Sequence, residues 1–406
     1  MGRARGGVSL FGRTSALSLG DDARLAQELR AIVPAASTMK QPRSILVFRP
    51  AGLGDFVMSA PAFRALRLRF PDSRVLLLTM HSSTRAAADK VAAYAGGATK
   101  APWAELLVPH LIDEVVTIAA PRTPLALWAA WRALRGRHID LIVPMIDLGT
   151  SWPRRLKKML FLAMLAGPVR QIGWRMRGTV PRDHRKRRNL ALGHHVHGPM
   201  QFLQELGEPM LSQDAEVVFD LRPSAEAEGW AGRWLTALGE GARLIAIAPG
   251  AAQPHKDWPI DRFVAVARAL LAVDRHIHVV VMGSSAENNK AAALVALDPQ
   301  RISSVCGITV DHSAALFARC ELVVGNDGGA VHLADAMGAK VVSIVPGLEV
   351  PNSIEPWHNQ HRAVRHPVPC APCYSFTFCP EGHNRCMLEL PLQPVLDACW
   401  QALAET

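Results

Sequence analysis

The chain has 406 residues and a formal net charge of +10, with 49% hydrophobic and 20% charged residues. That length exceeds one ordinary core and suits two domains, and the apolar-to-charged balance excludes a disordered or fibrous chain. No apolar run reaches the length of a membrane span, and Gly12, Arg13 and Thr14 break the N-terminal apolar stretch, so it reads as a poor signal peptide and the protein as cytoplasmic.

Residues 1–39 read as a flexible extension, of which 1–38 are expected to be dispensable. They are rich in Gly and Arg, hold one short helical stretch at Asp21–Val33, and leave Met39 as an alternative start. Beyond them, β-branched runs alternate with helix-like segments, the rhythm of βα units on parallel sheets. The expected strands are 44–48, 74–80, 114–118 and 140–145 in the first half, then 243–249, 278–283, 302–307, 321–326 and 340–345 in the second. This predicts an α/β protein with a Rossmann-like domain at 40–220, a linker at 221–242 that enters a helix, and a second Rossmann-like domain at 243–406. The two parallel sheets would face a central cleft at their carboxyl ends, where ligands bind in such folds.

Three strand-end loops carry chemistry. The first is "GLGD", Gly52 to Asp55, followed by a helical stripe of Phe56, Ala60, Phe63, Leu66 and Phe70. Pro61 removes a donor, so the helix either kinks there or begins only at Ser59. Gly52 and Gly54 make half of a dinucleotide fingerprint, but Val57 fills its third glycine position and no acid ends the second strand, which counts against a nicotinamide enzyme. Asp55 reads either as a helix cap or as a general base. The second loop is "PGAAQPHK", with Gly250 and Lys256; a lone Lys in such a loop is ordinarily solvated. The third is "GNDGGAVH", in which Asp327 is expected to cap a helix, and Gly328 and Gly329 to open its first-turn amides to a phosphate. His332 falls one turn further on, and its bland reading is a surface side chain. Together the loops offer an acid, a cation and an open helix N-terminus.

Between Arg154 and Arg188 stand twelve Lys or Arg and a single acid, Asp183, a surplus large enough to account for the whole net charge. Nucleic acid, an anionic membrane leaflet, a phosphorylated substrate or plain solvent would each suit such a run. Nucleic acid is disfavoured because it would leave the three strand-end loops unexplained and few aromatics, Phe161 and Trp174, stand among the charges. Near the C-terminus Cys370, Cys373, Cys379 and Cys386 are spaced C-x2-C-x5-C-x6-C, which in a reducing compartment reads as a metal site or as four reduced thiols. Cys306, Cys320 and Cys399 read as core.

The blocks "ILVFRPAGLGDFVMSAPAFRALRLRFPDSRV", "IAIAPGAAQPHKDWPIDRFVAVARAL" and "LVVGNDGGAVHLADAMGAKVVSIV", in this order, resemble glycosyltransferase family 9, the ADP-heptose:lipopolysaccharide heptosyltransferases. The resemblance runs from residue 44 to about 400. It implies a GT-B fold and inverting transfer of heptose from ADP-heptose to the lipopolysaccharide inner core. Asp55 would be the general base and Lys256 a contact to the donor diphosphate, with Gly250, Asp327, Gly328, Gly329 and His332 lining the donor site. The acceptor would meet the first domain through Gly52 and Gly54 and through basic residues such as Arg175 and Arg177, with the protein peripheral to the cytoplasmic face of the inner membrane. A protein acceptor is the rival reading, since it would keep every donor residue. No cofactor is expected for catalysis: Lys256 and the amides of Gly328 and Gly329 suit a leaving diphosphate without a divalent ion, and the chain has no Asp-x-Asp. Ala251 and Ala252 depart from the hydroxyl residues common in the family's phosphate loop. For the four cysteines the resemblance permits zinc or iron.

Overall fold

The computed structural model describes residues 41–50, 52–81, 102–119, 124–146, 152–174, 193–207, 217–375 and 377–405, within one compact unit, Gln41–Thr406. The N-terminal extension and the basic run that includes Arg175 and Arg177 lie outside the described residues.

The expected alternation of strands and helices is present, and every ladder is parallel. The first sheet holds β1 (Ser44–Phe48), β2 (Arg74–His81), β3 (Glu114–Ala119), β4 (Leu141–Pro144) and β5 (Arg170–Gln171) in the order β3-β2-β1-β4-β5. The second holds β6 (Arg243–Ala248), β7 (Ile277–Val281), β8 (Ile302–Ser304), β9 (Leu322–Asn326), β10 (Lys340–Ile344) and β11 (Ala363–Val364) in the order β11-β10-β9-β6-β7-β8. Strands β1, β4 and β9 are buried throughout, as central parallel strands with both faces covered must be. Their runs of Ile, Leu and Val therefore show no alternation.

Each sheet reverses its winding direction once, between β1 and β4 in the first and between β6 and β9 in the second. Such a switch point opens a crevice at the strands' carboxyl ends. "GLGD" follows β1, "PGAAQPHK" follows β6 and "NDGG" leaves β9, so all three loops sit at switch points.

Pro61 acts as the second of its two expected outcomes. A short helix, Leu53–Val57, stops at Met58, and a second, Ala60–Arg69, starts afresh with Ser59 at its N-cap and Pro61 in its first turn, where the missing N–H costs nothing. The stripe Phe56, Ala60, Phe63, Leu66 and Phe70 is buried throughout. Within 221–242 the chain forms helix Ala225–Thr236, capped by Ser224, whose hydroxyl and amide both bind Asp311. That helix also joins Glu228 to Arg319 and Trp230 to His312, residues between β8 and β9.

Candidate functional site

At the end of β1 the buried Arg49 builds the first loop. Its Nη2 donates to the Asp55 carbonyl at 2.9 Å, its Nε to Ser59 Oγ at 2.7 Å and its Nη1 to the Met145 carbonyl, just past β4, at 3.1 Å. Ser59 Oγ in turn donates to the Asp55 carbonyl at 2.7 Å. One guanidinium thus fixes helix Leu53–Val57 across the switch point of the first sheet. The N-cap of that helix is Gly52, and Asp55 lies in its first turn with an exposed side chain. Asp55 is therefore not the cap that one reading of the sequence expected.

Past β9, Asp327 is buried and pairs with Lys256 Nζ at 3.0 Å through Oδ2, while its Oδ1 lies 3.6 Å from His332 Nε2. Its expected role as N-cap is overturned: Gly328 holds that position, and the Asp327 carboxylate turns to Lys256 instead. Burial alone would raise the Asp327 pKa, but the Lys256 ammonium and His332 outweigh it and hold the carboxyl below the usual carboxylate range. Lys256 is largely covered and His332 is 5% exposed, so neither takes the solvated place that its bland reading gave it. Asn326 locks the two loops together, donating through Nδ2 to the Pro249 carbonyl at 2.9 Å and accepting from Trp258 N at 3.1 Å.

The loops of the two halves meet. A Cβ on Gly329 would stand 2.8 Å from Leu53 Cβ, and one on Gly54 would stand 3.0 Å from His332 Cδ2. Leu53 thus sits over Gly329, while a Cβ on Gly328 would meet nothing nearer than 3.8 Å. Gly54 and Gly329 are required by this close approach rather than by a tight turn, whereas Gly52, at φ −71°, has open space where a side chain would go. Gly329→Ala is expected to force the two helices apart at a cost of about 1–3 kcal/mol. Thermal melting beside an activity assay checks it, with loss in both as the expected outcome.

Three residues beside these loops are not marked as site residues by the sequence. Arg49 is one. Glu287, at the end of the loop after β7, is another: its Oε2 accepts the Ser284 amide at 2.8 Å and the Ser284 hydroxyl, and its other oxygen faces Gly250, where a Cβ would fall 2.7 Å from Glu287 Cγ. The spacing Ser284-x-x-Glu287 signals a capping box but not a buried acid beside the crevice. The third is His194, whose Nε2 donates to the Glu355 carbonyl at 2.8 Å while its Nδ1 accepts from Val196 N. Burial first, and then the charge of nearby His332, push the His194 pKa down to about 4.

A histidine with a depressed folded pKa binds its proton less readily folded than unfolded. Its contribution to stability is present above the unfolded value of 6.5 and is lost as pH falls toward 4. Up to roughly 3 kcal/mol should disappear across that window, and His194→Gln should remove that share of the pH dependence, as urea unfolding of both proteins between pH 7 and 4 would show.

The four cysteines of the C-terminal loop are half-buried. Cys370 Sγ lies 3.8 Å from His383 Nε2, and Cys379 Sγ accepts from Asn384 N at 3.4 Å. Burial, with a smaller push from the neighbouring thiols, raises the pKa of Cys373 and of Cys386. The donor set suits a soft metal ion, yet among the described residues no three His, Cys, Asp or Glu side chains converge closely enough to hold one. Of the remaining cysteines Cys320 and Cys399 are buried and Cys306 is half-buried.

Two parallel sheets of Rossmann type, with switch-point loops that meet across a crevice, make up a GT-B fold. Residues 127–382, more than half of the chain, match the model of "Glycosyltransferase family 9 (heptosyltransferase)", and the protein belongs to that family. It is 26% identical over 340 residues to lipopolysaccharide heptosyltransferase 2 of Escherichia coli K12, covering 79% of this chain and 87% of that one. Among solved structures it is similar to a family 9 glycosyltransferase of Veillonella parvula, with TM-score 0.63 and 17% identity, covering 91% of this chain and 99% of that one. It is also similar to the E. coli ADP-heptose lipopolysaccharide heptosyltransferase II, with TM-score 0.59 and 18% identity, covering 89% and 98%.

Proposed function

We propose that this glycosyltransferase moves heptose from ADP-heptose to the lipopolysaccharide inner core with inversion at the anomeric carbon, working in the cytoplasm and peripherally at the inner membrane. The observation that carries the reading is the Lys256–Asp327–His332 cluster at the second sheet's switch point, with the Asp55 helix resting against it. Asp327 holds the Lys256 ammonium in place and engages one of its three donors, leaving two for a diphosphate. Gly328, at the N-cap of helix Gly329–Ala336, is clear of side chains and open to the same anion, while Leu53 covers Gly329. The Glu287 carboxylate beside Gly250, in the loop after the strand next to β6, suits the ribose hydroxyls of the nucleotide.

In the reaction, the exposed Asp55 carboxylate accepts the proton of the acceptor hydroxyl as its oxygen attacks the anomeric carbon. The bond to the ADP oxygen breaks on the opposite face, and Lys256 stabilises the charge growing on the diphosphate. One displacement inverts the centre. Gly52 and Gly54 belong to the acceptor side of this crevice, and Arg175 and Arg177 are assigned to the same acceptor by charge alone. Lipopolysaccharide relatives favour a glycolipid over a protein as acceptor. Incubation of the purified enzyme with an inner-core acceptor and, in turn, ADP-heptose, ADP-glucose and UDP-sugars should give product with ADP-heptose. Equal or faster transfer from a uridine nucleotide sugar would reject the assignment.

For Cys370, Cys373, Cys379 and Cys386 we propose a structural zinc or iron site that forms when the thiols draw together, with no part in the transfer. Elemental analysis of untagged protein should find about one metal ion per chain, lost from the double variant Cys370→Ser, Cys373→Ser. Metal-free protein with wild-type stability would leave four reduced thiols.

A further inference from the structure

Helices Pro124–Leu134 and Trp152–Ala166 lie side by side on one face of the first sheet. Each turns an apolar stripe inward: Ala130 and Leu134 from the first, Leu162 and Leu165 from the second, pack with Phe48, Ile142 and other strand residues. One stripe per helix is what packing against a sheet needs. Both helices carry a second stripe that faces outward. On the first, Leu125, Trp128 and Trp131 recur three apart, with Leu125 73% and Trp128 51% exposed. On the second, Leu156, Leu160 and Met164 recur four apart, with Leu160 62% and Met164 51% exposed. Among the described residues these six make up most of the large apolar side chains left in the open, and they are confined to two adjoining helices. Isolated exposed apolar residues need no explanation, but a double stripe on neighbouring helices does.

The charges around the stripes have one sign. Arg132, Arg135, Arg154 and Lys157 are exposed, and neither helix contains an Asp or Glu. The Arg132 guanidinium lies 5.2 Å from the Trp128 ring centre and that of Arg135 lies 5.0 Å from the Trp131 ring centre, so each outward indole has a cation on it. Amphipathic indoles, long apolar side chains and arginines without acids are the composition of a helix that lies in the headgroup region of an anionic bilayer.

A second copy of the chain is a poorer occupant. A two-fold contact would press this patch on itself and oppose the same four cations to one another with no acid between them. Nucleic acid would take the charges and leave the leucines and methionine uncovered. Both helices also leave the carboxyl ends of their strands, β3 and β4, so the stripes begin at the crevice end of the sheet.

We infer that the outward faces of helices Pro124–Leu134 and Trp152–Ala166 form a membrane-docking surface that inserts Trp128, Trp131, Leu156 and Leu160 among the lipids of an anionic leaflet and holds their headgroups with Arg132, Arg135, Arg154 and Lys157. This extends the reading of a membrane-anchored acceptor, but vesicle binding is measured without donor or acceptor, so the two succeed or fail separately.

The full chain is sedimented with vesicles of phosphatidylethanolamine and phosphatidylglycerol, and with vesicles of phosphatidylcholine. Wild-type protein is expected on the anionic vesicles and to leave them as salt is raised. The double variant Trp128→Ser, Leu160→Ser should partition at least about tenfold more weakly. Arg132→Gln and Lys157→Gln should each cost about fivefold. All these positions are exposed, so melting temperature and transfer to a water-soluble acceptor should be unchanged. The serine pair separates this surface from the basic run at 175–188, which would bind by charge alone. Equal binding to phosphatidylcholine, unchanged binding by the serine variant, or a dimer that the serine variant dissociates while vesicle binding persists would each overturn the proposal.

Discussion

Asp55→Asn is expected to fold normally, bind ADP with nearly wild-type affinity and lose transfer by at least about a hundredfold. The structural side of that expectation rests on where the residue sits. The helix is anchored by the Asp55 carbonyl, which receives both Arg49 and Ser59, and the substitution leaves that carbonyl in place. The carboxylate itself is exposed in the first turn, where its charge gains about 0.3–1 kcal/mol from the helix N-terminus, and Asn keeps an oxygen that can accept there. The chemical side is different in kind. Asn has the size and acceptor oxygen of Asp but cannot take up a proton. Steady-state transfer rates beside thermal melting and ADP titration test it. Transfer within a few fold of wild type, in a folded variant, would move the base elsewhere.

Lys256→Met is expected to damage two things at once. Stabilisation of the leaving diphosphate should fall by roughly 2–4 kcal/mol, the usual effect of removing one preorganised charge. In addition, Asp327 would be left ionised, buried and without its cation, which in buried pairs destabilises the fold by about 3–5 kcal/mol. The double variant Lys256→Met, Asp327→Asn separates the effects, because a neutral amide no longer needs the ammonium. Chemical denaturation should show most of the lost stability restored in the double variant, while donor binding stays weak. If stability and donor binding recover together, Lys256 acts only by keeping Asp327 in place.

The strand-end loops were legible because parallel sheets write themselves as uniform apolar runs, and a run that ends in glycines and an acid marks a switch-point loop. The edge strands β5 and β11 were not legible, since two residues each carry no pattern. The sequence marks Gly54 and Gly329 as loop glycines but not what meets them. Their glycine character reflects the approach of Leu53 and His332 from opposite halves of the chain, which local sequence does not record. The cap expected of Asp327 failed because a buried ammonium attracts a carboxylate more strongly than two helix amides do. Arg49 and Glu287 carry no signal as site residues in the sequence; the fold buries one under the Asp55 helix and sets the other against Gly250.

In the proposed function the two halves of the molecule divide the work: Lys256 and its neighbours would hold the donor nucleotide, and Asp55 would move the proton. Calorimetric titration of ADP into wild type, Asp55→Asn and the Lys256→Met, Asp327→Asn double variant tests it most directly. The account predicts wild-type affinity for Asp55→Asn and at least about tenfold weaker binding for the double variant, with transfer lost in both. Unchanged ADP affinity in the folded double variant, or loss of ADP binding in Asp55→Asn, would contradict it.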